Sequence, residues 1–277
     1  MPSTLHTEPV ATVLDGLLEA EREGDARAFA ETGVTDPKSA WAELDAGQMA
    51  ETFKDASMSV SREGGELLYL LTRATGARTV VEYGTSFGVS TLYLASAVRD
   101  NGGGQVIGTE LQADKVAKAT EAIAAAGLSD IASVRGGDAR ETLRDLPGPV
   151  DLLLMDGWPN LNRQVLQLVE PRLRKGALVL VDDMDMEFGF DIHRVRSHAP
   201  PATAGRCPLT PRGPPSGRTA LLSTHAPVPG RSGCARWRGV LVRAVARRPE
   251  ALAVRPLGCP ADAASARAGA VSGANLG

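Results

Sequence analysis

The 277-residue sequence predicts an α/β protein with a doubly wound, mostly parallel sheet preceded by helices. Short apolar runs alternate with helical patterns of roughly 10 to 15 residues, which is typical of βαβ units. Two of the runs, "DLLLMD" and "ALVLVD", are almost continuously apolar, as strands buried on both faces are. Breaker-rich sequence after about residue 190 marks the end of this alternation.

Helical patterns precede the first predicted strand. The pattern over 8–32 has apolar residues at the i, i+3, i+4 and i+7 spacing of an amphipathic helix, which we interpret as a cover or an oligomer contact. A second helix is predicted over 39–54. A third, over 64–72, follows Ser61 as a candidate N-cap and precedes Gly76 as a candidate stop.

The predicted strands then alternate with helices, and right-handed crossovers would join them into a parallel sheet. The strands are predicted at 79–84, 104–110, 132–138, 150–157 and 177–184, and the intervening helices at 90–99, 113–126, 139–146 and 161–173.

Charge divides the chain into two parts. Residues 1–193 hold 17 basic and 31 acidic residues, a net charge of −14, whereas 194–277 has a net charge of +11 with 13 arginines and no lysine. The acidic part argues against nucleic acid as a partner. The sequence has no apolar run of about 18 residues and no basic segment followed by an apolar core at its N-terminus, so we expect a cytoplasmic protein without a membrane partner.

The tail, residues 191–277, is rich in Pro, Arg, Ala and Gly and contains all three cysteines. We expect it to be disordered and its C-terminal strands to be missing or aberrant. Two hypotheses explain it: a basic arm for an anionic partner, or translation of a GC-rich gene in a shifted frame. The shifted-frame hypothesis predicts that the other reading frame of the coding DNA encodes a C-terminus rich in β-strands.

Every predicted strand has an acidic residue at or near its carboxyl end. Ligands of open parallel sheets bind beyond the carboxyl ends of the strands, so these side chains are expected at one edge. They are Glu82, Glu110, Asp138, Asp156 and the pair Asp182 and Asp183.

The turn after the first strand, "EYGTSFGVS", separates Gly84 from Gly88 by three residues. It therefore lacks the three-glycine dinucleotide pattern, and the acids around it would repel a pyrophosphate. A ligand with a positive centre, a ribose and an adenine but no phosphate fits better. S-adenosylmethionine has these parts.

The blocks "VVEYGTSFGVSTLYLA", "IGTELQADKVAKA", "GGDARETL", "DLLLMDGW" and "VLVDDM" resemble the class I S-adenosylmethionine-dependent methyltransferases, most closely the catechol and caffeoyl-CoA O-methyltransferase group. The resemblance covers about residues 56–186. It implies a Rossmann-like cofactor-binding domain over 56–190, with a helical cover over 1–55.

The resemblance also implies a cofactor site. Glycines would let the backbone approach the methionine part, Ser90 would bind its carboxylate, Glu110 would bind the ribose hydroxyls, and Asp138 the adenine amino group. The implied cofactor-binding residues are Val60, Glu82, Gly84, Ser86, Gly88, Ser90, Glu110, Asp138 and Asp156.

Metal-dependent members of the group hold Mg²⁺ or a similar cation with acids that align with Asp156, Asp182 and Asp183. Asp156 would thereby be catalytic. Where such members have a lysine as general base this sequence has Pro159, and the last pair is Asp-Asp rather than Asp-Asn. Both departures leave the metal requirement open.

The predicted function is methyl transfer from S-adenosylmethionine to a hydroxyl of a small molecule, assisted by a divalent cation, with a homodimer as a candidate assembly. Two alternatives remain. One is a metal-independent O- or N-methyltransferase, and the other is an inactive cofactor-binding protein with an altered C-terminus.

Overall fold

The computed structural model describes residues 3–34 and 43–182, and the backbone of 220–222 and 240–244. All of these lie in the unit Met1–Ala246, and residues 247–277 lie outside the described residues. The described helices are α1 (Val10–Glu31), α2 (Ala46–Thr52), α3 (Arg62–Thr75), α4 (Val89–Asp100), α5 (Ala113–Ala125), α6 (Ala139–Thr142) and α7 (Asn162–Val169). The strands are β1 (Thr79–Tyr83), β2 (Gln105–Glu110), β3 (Ala132–Gly136), β4 (Val150–Met155), β5 (Leu173–Val181), β6 (Ala220–Leu222) and β7 (Val240–Ala244).

One sheet contains the described strands in the order β3-β2-β1-β4-β5-β7-β6. Strands β1 to β5 are parallel, which confirms the predicted fold class. The chain runs outward from β1 to β3 and then returns to β4 on the other side of β1. The strand order therefore reverses between β1 and β4, which is where open α/β sheets bind ligands.

Both faces of the parallel sheet are buried, as the continuous apolar runs predicted. In β4, Leu152 and Leu154 pack in a cluster with apolar residues of α1, α3, α4 and α5. Their neighbours Leu153 and Met155 pack on the opposite face, in a cluster that includes apolar residues of α7. Alternate side chains of a strand point to opposite faces, so a strand that is buried on both faces has apolar residues at consecutive positions.

The caps of α3 agree with the sequence prediction. Ser61 Oγ accepts a hydrogen bond from the Gly64 amide at 3.2 Å, and Gly76 ends the helix in the left-handed conformation at φ +61°. The predicted second helix is present over Ala46–Thr52, while residues 35–42 lie outside the described residues.

The connection from α7 to β5 differs from the prediction. The expected helix over 161–173 is α-helical only to Val169, and a 3₁₀ turn spans Glu170–Arg172. Pro171 explains the early end, because proline has no amide to donate and its ring clashes with the preceding turn. The strand then begins at Leu173, which pairs with Val150, rather than at 177.

Two short strands follow the parallel part, where the sequence analysis expected closing strands to be missing or aberrant. Strand β7 pairs antiparallel with β5, and β6 pairs antiparallel with β7. The apolar segment "VLV" at 240–242 supplies residues of high strand propensity to the otherwise open edge of β5. The rest of the tail lies outside the described residues, so the disorder and shifted-frame hypotheses stay predictions. Within the part of the chain that the structure describes, no helix has the length and apolar character needed to cross a membrane.

Candidate functional site

A cleft lies at the carboxyl ends of β1, β2 and β4, where the strand order reverses. It holds about 890 Å³ of empty volume, counted with its open mouth. Three acidic residues, Glu110, Asp138 and Asp156, line it, with Lys115 as its one basic residue among those described. The cleft is therefore acidic overall, as the sequence analysis predicted for this edge.

Gly84 allows β1 and β4 to approach each other closely. Its φ is +93°, and a Cβ atom built there would lie 2.4 Å from the carbonyl oxygen of Asp156. Real Cβ atoms do not approach an oxygen this closely, so any side chain would push the two strand ends apart. The packing of the chain thus requires this glycine, independently of any ligand.

Gly88 has a different neighbour. It precedes α4 with φ +94°, and an added Cβ would lie 3.3 Å from the Cβ of Ala119 in α5. Gly88 does not line the described cleft. The two glycines of the turn therefore allow two different close contacts. Gly84 allows the contact with the end of β4, and Gly88 allows the contact with α5.

Glu82 lies beneath the turn and is fully buried. Its Oε2 accepts hydrogen bonds from Thr85 Oγ1 at 2.9 Å and from Thr91 Oγ1, whereas Oε1 has no partner of normal geometry among the described residues. Burial raises the pKa of Glu82, although the hydroxyls of Ser90, Thr91 and Thr85 act in the opposite direction. Neither Glu82 nor the buried Ser90 lines the cleft, but Oε1 keeps the capacity to accept a hydrogen bond from a water or an ammonium group.

Glu110, the last residue of β2, presents its carboxylate in the cleft. Oε2 accepts a hydrogen bond from the Ser86 amide and Oε1 one from the Gln112 amide, both at 2.9 Å. Each carboxylate oxygen can accept more than one hydrogen bond. Two backbone amides thus fix the orientation of a group that can still bind two hydroxyls of a ligand.

Asp138 follows β3 and caps α6. Its carboxylate accepts hydrogen bonds from the Arg140 amide at 2.8 Å and from the Arg140 guanidinium, with Nη2 at 2.6 Å from Oδ2. These contacts with Arg140 hold the pKa of Asp138 below its usual value despite partial burial. The carboxylate is therefore ionised and fixed at the rim of the cleft.

Asp156 and Asp182 lie next to each other at the edge of the sheet. Met155 and Val181 are paired residues of β4 and β5, and the two acids follow them directly. The Asp182 amide donates to the Met155 carbonyl at 3.1 Å, which keeps the two strand ends in register. Asp183 lies outside the described residues. Within 3–34 and 43–182, no three His, Cys, Asp or Glu side chains cluster as a metal site would require.

The segment before α3 contributes to the cleft, but not through the residue that the resemblance implied. Val60 is buried in the core and does not line the cleft, whereas Ser57 and Met58 do. Lys115 is another lining residue that the sequence analysis missed. It is 3% exposed, and its Nζ donates to the Ala56 carbonyl at 2.7 Å. No periodicity in the sequence indicates these polar contacts.

Tyr83 and Trp158 line the side of the cleft that is next to β1 and β4. The Tyr83 hydroxyl donates to the Trp158 carbonyl at 2.8 Å, and burial raises the pKa of Tyr83 further above its ordinary value. Gly157 lies against the Tyr83 ring, since an added Cβ would come within 2.5 Å of it. Tyr83 therefore stays protonated and fixes the loop after β4.

Glu21 in α1 supports the segment at Ser59, whose amide donates to Glu21 Oε1 at 3.2 Å. Burial, and then repulsion from Asp25, raise the pKa of Glu21 from 4.5 to about 7. The folded state thus binds this proton more tightly than the unfolded state. The corresponding contribution to stability is complete below about pH 4.5 and is lost as the pH rises through about 7.

Glu21→Gln should therefore become more stable relative to the wild type as the pH rises. We expect the difference in free energy of unfolding to grow by about 1 kcal/mol between pH 4.5 and 8, a value reduced for partial exposure of the side chain. Urea unfolding across this pH range measures it, with Glu23→Gln as the control on the exposed side of α1. A difference that stays constant with pH would contradict the raised pKa.

Comparisons with known proteins agree with this architecture. Residues 81–184 match the family model of a methyltransferase domain. The chain is 34% identical over 128 residues to the catechol O-methyltransferase of Mycobacterium tuberculosis, covering 46% of this chain and 57% of that protein. It is 30% identical over 132 residues to the catechol O-methyltransferase of Niastella koreensis, covering 46% and 59%. The matches thus span less than two thirds of the length of these relatives.

A solved structure of a methyltransferase from Geobacter sulfurreducens shares the fold. It aligns with a TM-score of 0.51 at 20% identity, covering 80% of this chain and 97% of that one. At this identity the similarity concerns the arrangement of helices and strands.

Proposed function

We propose that the protein is a class I S-adenosylmethionine-dependent methyltransferase that methylates a hydroxyl of a small molecule. The match of residues 81–184 to a methyltransferase domain supports this proposal. The observation that carries the proposal is the Glu110 carboxylate, held by two backbone amides at the end of β2 in the cleft. An acid at this position suits the two hydroxyls of a ribose. We also propose that the protein acts in the cytoplasm and that its partner is a small hydroxylated acceptor.

The charge of the cleft favours this cofactor over a dinucleotide. Glu110, Asp138 and Asp156 would repel a pyrophosphate, whereas they attract a ligand with a sulfonium and an ammonium group. Asp138 at the rim can accept a hydrogen bond from an adenine amino group. Glu82 is fully buried beneath the turn and does not line the cleft, so its contact with the amino acid end of the cofactor stays a prediction. The residues present therefore fit S-adenosylmethionine.

The cofactor, when bound, supplies an electrophilic methyl group on its sulfonium. The chain's own residues would bind and orient the two reactants in the cleft, which lowers the entropic part of the barrier. Met58, Trp158 and Pro159 line the cleft with apolar groups, which would exclude water from the reacting atoms when both reactants are bound.

Asp156 is the residue to which we assign the catalytic role. Tyr83 is excluded as a base by its raised pKa and its bond to the Trp158 carbonyl, and Lys115 donates to the Ala56 carbonyl. Pro159, which stands where metal-dependent members have a lysine as general base, has no side-chain group that can accept a proton. Asp156 lines the cleft at the end of β4 and can hold the acceptor hydroxyl there.

A divalent cation fits the acidic pair at this edge. Asp156 and Asp182 follow paired residues of neighbouring strands, and carboxylate oxygens are the ligands that Mg²⁺ prefers. With Asp183 as a third ligand they would hold a cation, which would lower the pKa of an acceptor hydroxyl.

The test is transfer of an isotope-labelled methyl group from S-adenosylmethionine to a panel of phenols and catechols. We expect transfer in the presence of Mg²⁺ and a loss of at least roughly tenfold when a chelator removes the cation. Activity that survives the chelator would favour the metal-independent methyltransferase. Cofactor binding without transfer to any acceptor would favour the inactive cofactor-binding protein.

A further inference from the structure

Residues 56–59 form a short segment in the wall of the cleft, which we call the wall segment. Two of its members, Ser57 and Met58, line the cleft directly. Met58 has φ +51°, and Ser86 across from it has φ +48°. These two are the non-glycine residues with positive φ in the part of the chain that the structure describes. Such strain persists only where the surroundings hold the backbone in place.

The wall segment and the turn after β1 are joined by a hydrogen bond. Ser86 Oγ donates to the Ser57 carbonyl, while the Ser86 amide donates to Glu110 Oε2. A shift of Ser57 would therefore move Ser86. A shift of Ser86 would in turn move the carboxylate of Glu110, which we propose binds the ribose. The position of the wall segment thus affects the central acid of the site.

Asp25 in α1 holds the wall segment from outside the sheet. Its Oδ1 accepts a hydrogen bond from the Ser57 amide at 2.7 Å, and its Oδ2 accepts one from the Met58 amide at 2.8 Å. Bonds of amides to an ionised carboxylate are stronger than those between neutral groups. Lys115 secures the start of the segment through the Ala56 carbonyl. Both contacts link residues distant in sequence.

We propose that Asp25 of the N-terminal helix is a positioning residue of the cofactor site, which fixes Ser57 and Met58 and, through Ser57, the Ser86–Glu110 contact. This inference rests on the proposed function, since it concerns the same cleft. It extends the site to a helix that the sequence analysis assigned to a cover or an oligomer contact. Asp25 itself does not line the cleft, so it acts through the wall segment.

The test is Asp25→Asn, followed by calorimetric titration with S-adenosylmethionine. The asparagine oxygen can accept from one amide, but its NH₂ group would face the other amide as a second donor. We expect the dissociation constant to rise by about tenfold, as for the loss of one such hydrogen bond. Glu23→Gln, which removes an exposed charge from the same helix, should leave the dissociation constant unchanged.

A second variant separates positioning from general destabilisation. Leu14→Ala removes a buried contact of α1, at a side chain that is 3% exposed, without altering a contact to the wall segment. It should lower the melting temperature at least as much as Asp25→Asn, yet bind the cofactor like the wild type at a temperature where both are folded. Amide hydrogen exchange at Ser57 and Met58 should accelerate in Asp25→Asn and not in Leu14→Ala.

The outcomes distinguish this inference from the proposed function. If the wild type binds S-adenosylmethionine and Asp25→Asn binds it equally well, the positioning role is wrong and the proposed function stands. If Leu14→Ala weakens binding as much as Asp25→Asn, the role of Asp25 is merely structural. If the folded wild type does not bind S-adenosylmethionine, the proposed function itself fails.

Discussion

Gly84→Ala should lower the free energy of unfolding by about 3 kcal/mol or more. Two effects add at this position. The backbone has φ +93°, which is unfavourable for any L-amino acid, and the new Cβ would lie 2.4 Å from the Asp156 carbonyl oxygen. The Cβ position is fixed by the backbone at residue 84 and the oxygen belongs to the backbone of Asp156, so neither atom can rotate away. Urea unfolding followed by circular dichroism measures the loss.

The matched control is Gly102→Ala. Gly102 has φ +90°, almost the same as Gly84, but an added Cβ would meet nothing within 4 Å. It therefore isolates the backbone strain, for which we expect about 1 kcal/mol. Equal losses for the two variants would show that the approach of β1 and β4 at Gly84 does not determine the effect.

Glu110→Ala should weaken S-adenosylmethionine binding about a hundredfold while the protein stays folded. The proposed site gives the ribose two hydrogen bonds to an ionised carboxylate, at about 1.5 kcal/mol each. The variant also frees the Ser86 and Gln112 amides, which lose their acceptor in the cleft. Calorimetry on the wild type and the variant under identical conditions measures the ratio.

Glu121→Ala serves as the control for Glu110→Ala, since Glu121 is an exposed acid on α5. It removes the same charge without touching the cleft and should leave the affinity unchanged. An affinity of Glu110→Ala within about threefold of the wild type would contradict the assignment of the ribose to Glu110.

The strands and their acidic ends could be predicted from the sequence because both follow from local patterns. Apolar runs identify strands, and the parallel arrangement brings their carboxyl ends to one edge, so Glu110, Asp138 and Asp156 meet in one cleft. The misplaced end of α7 and start of β5 followed from giving too little weight to Pro171, and the helix predicted over 139–146 is also shorter, ending at Thr142. The effect of a proline on a helix is local, so the boundary at Pro171 could have been predicted from the sequence.

The wall segment could not be predicted because its contacts are polar and distant in sequence. Asp25 and Met58 are 33 residues apart, and Lys115 and Ala56 are 59 residues apart. Periodicity shows which face of a helix is apolar, but not which backbone amide an acid on that helix meets. The need for glycine at position 84 could not be predicted either, because the atom that a side chain would meet there is the carbonyl oxygen of Asp156, which follows the neighbouring strand β4.

We expect the acidic cleft to select a cationic nucleoside without phosphate. Calorimetric titration of the wild type with S-adenosylmethionine and with adenosine diphosphate, each with and without Mg²⁺, measures this selectivity. We predict one bound S-adenosylmethionine per chain, with a dissociation constant of about 1–100 μM, and adenosine diphosphate binding at least roughly a hundredfold weaker. If the folded protein binds no S-adenosylmethionine, or binds adenosine diphosphate equally well, the cleft does not have this selectivity.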